Sequence, residues 1–109
     1  MVIFIPERGD VVWLNFEPQI GKEIQKTRPA VVLSPSKYNL KSGLALFAPI
    51  TSQIKDYPFE VIINSKKING AVLCDQVRSM DWKARKATKI LSLDKRTMDN
   101  ILSKLKLLL

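Results

Sequence analysis

The stretch Lys26-Thr27-Arg28-Pro29-Ala30-Val31-Val32-Leu33-Ser34-Pro35 turns a polar loop into an apolar strand, with an arginine at the junction. Pro29 fixes its own φ and biases Arg28 toward extended geometry, so the strand opens on a charged side chain and then buries Ala30 to Leu33. The preceding loop, Gly21-Lys22-Glu23-Ile24-Gln25-Lys26-Thr27, brings a carboxylate five residues upstream of Arg28. Further along, Ala48-Pro49-Ile50-Thr51-Ser52 closes another apolar run on two hydroxyls. An arginine, a carboxylate and a hydroxyl from separate loops can frame a site for an anion, phosphate being the commonest.

Working outward, apolar alternation predicts short strands over Asp10 to Phe16, Ala30 to Leu33, Leu44 to Ile50, Phe59 to Ile63, Ala71 to Cys74 and Ala87 to Leu91. Turn chemistry separates them: Glu17-Pro18-Gln19-Ile20-Gly21, Ser34-Pro35-Ser36, Lys41-Ser42-Gly43, Asp56-Tyr57-Pro58 and Ile68-Asn69-Gly70. In the first strand Val12, Leu14 and Phe16 share one face while Trp13 points to the other, where it is read as a core residue. At Asp94 the period changes. Met98, Ile101, Leu102, Leu105 and Leu108 recur at helical spacing behind an aspartate that can serve as N-cap, with Lys95, Lys104 and Lys106 on the solvated face. The expected fold is mainly β, a compact barrel or strongly bent sheet carrying a C-terminal helix.

The 109 residues fit one domain spanning 1–109. Lysine and arginine number 18 against 10 acidic residues, and the net charge of +8 attracts polyanions or an acidic protein. The sequence contains no histidine, which excludes histidine-centred triads, histidine-ligated metals and paired-imidazole RNA cleavage. The single cysteine, Cys74, sits in an apolar run and reads as a small core residue; no metal site and no cofactor are expected. Met1-Val2-Ile3-Phe4-Ile5 is too short for a signal peptide and Leu107-Leu108-Leu109 too short to span a bilayer, so cytoplasmic residence without membrane association is expected.

The ordered set GDVVWLNFEP, GKEIQKTRPAVVLSP, API-TS, YPFEV and DQVRS, running from Gly9 to about Lys89, resembles the MazF/PemK family of toxin endoribonucleases. That resemblance implies an SH3-like small barrel of the CcdB/MazF/PemK type. It also implies a homodimer, metal-independent cleavage of single-stranded RNA, and neutralisation by an acidic antitoxin of the MazE type. Two rival functions stay open: a same-fold CcdB-like toxin that binds DNA gyrase, and a non-catalytic RNA-binding or protein-binding barrel.

Within the resemblance, Arg28 matches the family's essential arginine, and its planar fork suits two parallel bonds to phosphate oxygens. Whether it also acts as general acid is left open, since a guanidinium gives up a proton reluctantly. Glu23, in the loop that the family places over its substrate, is the expected base; the alternative is an exposed glutamate beside Lys22 and Lys26. Thr51 matches the family's site threonine, with Ser52 a weaker donor, and the competing role for such a hydroxyl is to cap its own turn. Many relatives carry histidine where this chain has Thr27, so a base role there does not transfer. Lys22, Gln25, Lys26, Thr27, Ser52, Gln76, Arg78, Lys83 and Arg85 are the expected RNA contacts. In the PemK branch an arginine two positions before Asp75 joins the catalysis, but Leu73 stands there here. Asp75 and Gln76 are therefore read as holding their loop or reading a base edge, with a purely structural turn as the alternative. Trp82, amid Arg78, Lys83, Arg85 and Lys86, is a base-stacking candidate or, preferably, a core or interface aromatic.

Overall fold

A computed structural model describes residues 4–15 and 27–109, organised as seven strands and two helices. In chain order these are β1 (Asp10–Asn15), β2 (Thr27–Val32), α1 (Ser36–Ser42), β3 (Leu44–Thr51), β4 (Glu60–Asn64), β5 (Asn69–Leu73), β6 (Arg78–Asp81), β7 (Thr88–Ser92) and α2 (Lys95–Lys106). All pairings are antiparallel, in the order β4-β5-β3-β2-β1-β7, with β6 also on β3. β3 holds the fold together. One edge pairs with β2, while the other pairs with β6 over Leu44–Phe47 and with β5 over Ile50 and Thr51, so the sheet curls along this one strand.

Both faces of the sheet are buried. Val11, Val31, Ala48 and Ile50 point into one core, which Met98 and Ile101 of α2 close. Their neighbours Val12, Ala30, Val32 and Phe47 point into a second core with Met80 and Trp82, covered by Phe4 and Ile5. This two-sided burial explains why Ala30-Val31-Val32 is a continuous apolar run rather than an alternating one. α2 begins where expected: the Asp94 side chain accepts from the Thr97 amide at 2.9 Å. The leucine stripe thins toward its end, and Leu108 is exposed.

Several expectations change. β2 starts at Thr27, so Arg28 and Pro29 belong to the strand itself. β4 and β7 each lie one residue later than read, and β5 spans Asn69–Leu73, leaving Cys74 just beyond it. α1 and β6 were not anticipated. α1 is two turns of mostly polar sequence with no side-chain N-cap bond, so neither periodicity nor capping announces it. A tertiary contact anchors it: fully buried Asn39 donates to Pro6 O at 2.8 Å and Ser34 O at 3.0 Å and accepts from Ser34 Oγ, while the Trp82 indole donates to Asn39 O at 3.0 Å. That contact also places Trp82 in the second core, which removes its ring as a base-stacking surface.

Trp13 is the opposite correction. It does point away from Val12 and Leu14, yet it is 40% exposed. Its cross-strand neighbour is Pro29 at the start of β2, and at that end the first core has already stopped at Val11 and Val31.

Candidate active site

The start of β2 and the end of β3 line one cleft of about 780 Å³, together with the β4–β5 turn and the start of β6. Arg28 and Pro29 come from β2, Trp13 from β1, Thr51 and Ser52 from the end of β3, Lys67 from the β4–β5 turn and Asn69 from the start of β5. Leu73, Gln76 and Arg78 close the remaining side. Among the described lining residues are the cations Arg28, Lys67 and Arg78, and there is no carboxylate. Converging cations with hydroxyl donors make a site for a polyanion, because each cation lowers the cost of holding phosphate near the others.

Arg28 is exposed and sits opposite Leu14 in the β1–β2 pair. Among the described residues its side chain makes no hydrogen bond or ion pair. Thr51 is half-buried at the last position of β3, opposite Ala71 of β5. Its Oγ1 accepts from the Gln53 amide at 3.1 Å, so the hydroxyl caps its own turn. That bond uses a lone pair and fixes the oxygen while the O–H is still able to donate, so capping does not exclude anion binding. Lys67 Nζ donates to Ile90 O at 3.3 Å, which ties the turn to β7 and leaves further ammonium hydrogens for a ligand.

Of the residues singled out in the sequence, Arg28, Thr51, Ser52, Gln76 and Arg78 line this one cleft. It does not bring Lys83 and Arg85 into the cleft. β6 runs from Arg78 opposite Phe47 to Asp81 opposite Leu44, so the residues after it emerge at the far end. There Arg85 Nη1 donates to Asn15 O at 3.0 Å, and Lys83 lies over the Trp82 ring at 6.0 Å. Thr27 pairs with Asn15 at the start of β2 and is not in the cleft lining. Lys22, Glu23, Gln25 and Lys26 lie outside the described residues.

Asp75 takes the first of the roles left open for it. Its Oδ2 accepts from the Tyr57 phenol at 3.0 Å, joining the β5–β6 turn to the β3–β4 loop, and the carboxylate holds that phenol's pKa above its ordinary value. Lys67, Asn69 and Trp13 were missed as lining residues. Nothing local distinguishes Lys67 from its neighbour Lys66; only the β3–β5 pairing carries this turn to the end of β3. No group of three or more potential metal ligands occurs among the described residues, and none of their helices is long and apolar enough to cross a membrane.

Residues 7–109 match the family model described as PemK-like, MazF-like toxin of type II toxin-antitoxin system. The chain is 49% identical over 86 residues to the endoribonuclease toxin MazF of Escherichia coli (strain K12), covering 79% of this chain and 78% of that protein. It is 34% identical over 103 residues to the endoribonuclease EndoA of Bacillus subtilis (strain 168), covering 89% and 88%. Among solved structures, MazE-MazF (Form-III) from Deinococcus radiodurans superposes with a TM-score of 0.88 at 40% identity, covering 96% of each chain.

Proposed function

The chain belongs to the PemK-like, MazF-like toxins of type II toxin-antitoxin systems, and from that premise we propose that it is an endoribonuclease cutting single-stranded RNA. The observation that carries the chemistry is the cleft in which Arg28, Lys67 and Arg78 surround the Thr51 and Ser52 hydroxyls with no carboxylate among the described lining residues. Such a surface holds a phosphodiester and stabilises added negative charge on it. A gyrase-binding role gives that cation set no work, and the endoribonucleases among the relatives favour cleavage.

In the proposed reaction the ribose 2′-oxygen attacks the adjacent phosphorus while the P–O5′ bond breaks. The products are a 2′,3′-cyclic phosphate and a 5′-hydroxyl, and no activated water is needed for this step. Arg28 clamps the non-bridging oxygens as they gain charge, and the Thr51 O–H donates to one of them. A carboxylate is the ordinary base available to a chain without histidine, and we assign the 2′-proton to Glu23. The proton delivered to the departing 5′-oxygen comes from solvent or from Arg28.

The whole chain is read as one such domain, acting in the cytoplasm as a homodimer. Its +8 charge fits an acidic antitoxin of the MazE type, in keeping with the MazE-MazF structures from Deinococcus radiodurans. Incubating the purified protein with RNA and mapping both new ends tests the reading. Cyclic phosphate paired with 5′-hydroxyl is expected; 5′-phosphate ends, or intact RNA, would contradict it.

A further inference from the structure

Beside the cleft lies a second hollow of about 410 Å³, separated from it by Thr51, Leu73 and Gln76, which line both. Its outer wall is the β3–β4 loop, including Lys55, Asp56, Tyr57 and Pro58, and its floor includes Glu60. The two hollows differ in charge. The cleft's described lining carries three cations and no acid, whereas the hollow's described lining sets Lys55 against Asp56 and Glu60. A phosphate is drawn to the first and repelled from the second.

The loop is held in place from several sides. The Glu60 carboxylate accepts from the Lys55 amide at 3.2 Å and the Tyr57 amide at 3.3 Å. Asp56 takes a left-handed conformation at φ 56°, one that aspartate tolerates better than most residues. The Tyr57 phenol is tied to Asp75, and its ring leans on Phe59 with centroids 5.8 Å apart. Held at both ends, the ring still remains 46% exposed. A rigid, wet aromatic face beside a phosphate site is what an unstacked base requires.

We propose that this hollow is a nucleobase subsite: a base next to the scissile phosphate leaves the cleft over Thr51 and stacks on Tyr57, with the Gln76 amide at the divide facing its edge. Asp75 and Glu60 are positioning residues that hold the stacking ring. The proposal rests on the endoribonuclease reading above and adds to it where one base goes.

The test is an abasic scan of a short RNA substrate, one nucleotide at a time on each side of the cut, with wild type, Tyr57→Ala and Tyr57→Phe. Intact RNA should lose about 5- to 100-fold in kcat/KM with Tyr57→Ala and clearly less with Tyr57→Phe, which keeps the ring but gives up its tie to Asp75. At one abasic position wild type should fall by a similar factor and the Tyr57→Ala penalty should vanish. Additive effects at every position, no abasic penalty near the cut in wild type, or a Tyr57→Phe loss equal to that of Tyr57→Ala would overturn the subsite. In each of these cases wild type still cuts intact RNA, so the endoribonuclease reading stands; failure of wild type on intact RNA would remove both.

Discussion

Gly70 packs so closely on Thr51 that a Cβ on Gly70 would overlap the Thr51 carbonyl oxygen and press on Ile50 Cγ2 at 3.1 Å. The contact follows from the β3–β5 register, in which Thr51 faces Ala71 and Ile50 faces Val72. The obstacle is backbone, so no rotamer change relieves it. Gly70→Ala should therefore push the end of β3 away, costing about 1–3 kcal/mol of stability and displacing the Thr51 hydroxyl. Thermal unfolding and RNA cleavage should fall together, with activity still reduced at temperatures where the variant is folded.

Arg28→Ala should keep the wild-type melting temperature, since the side chain is exposed and makes no hydrogen bond among the described residues. Activity should drop a few hundred-fold, corresponding to about 3 kcal/mol of lost charge stabilisation. Arg28→Lys should not restore it, because an ammonium cannot reproduce the two-pronged contact. Thr51→Val should lose on the order of 10- to 100-fold, the value of a hydrogen bond to a charged group. Thr51→Ser, which keeps the hydroxyl, should stay near wild type.

The three cations among the cleft's described lining residues make RNA affinity depend on salt. For single strands each neutralised phosphate contributes about −0.7 to the slope of log K against log salt, so a slope near −2 is expected. A non-cleavable 2′-deoxy ligand allows the titration without turnover. Lys67→Ala should flatten the slope by about one such increment, while a flat titration in the wild type would mean that the charge serves another purpose.

Cys74 is buried, and desolvation raises its thiol from 9.0 to about 11, with Lys104 opposing the shift. At pH 8 roughly one molecule in a thousand carries the thiolate. Iodoacetamide should leave the native protein unmodified and label it fully in denaturant. Because the folded pKa lies above the unfolded one, this group's contribution to stability is complete below pH 9 and is lost between about 9 and 11.

Much of this architecture was legible from residues whose local chemistry and tertiary role agree. Arg28 before Pro29, Thr51 at a strand end, and Asp94 ahead of Met98 and Ile101 all stand where their own neighbours require. Trp13 misled because alternation reports which face a side chain takes, and here both faces bear a core, but not along their whole length. α1 depends on Asn39 reaching Pro6 across 33 residues, and β6 presents only Met80 to the interior, so neither leaves a periodic signal. The cleft's third wall is the same kind of case. Lys67 and Asn69 reach it through strand pairing, and Tyr57 gains its place through Asp75, which no spacing in the sequence indicates.

The central claim is that the RNA supplies its own nucleophile to a phosphate held by Arg28 and Thr51. A substrate carrying a single 2′-deoxy substitution at the nucleotide 5′ to the cut tests it most directly, with cleavage followed against the all-ribose RNA of the same sequence. The account predicts that the deoxy substrate binds with similar affinity and is not cut at that position, while the ribose control yields a 2′,3′-cyclic phosphate. Cutting of the deoxy substrate at the same bond would mean that water or a protein group attacks the phosphorus, and would contradict the account.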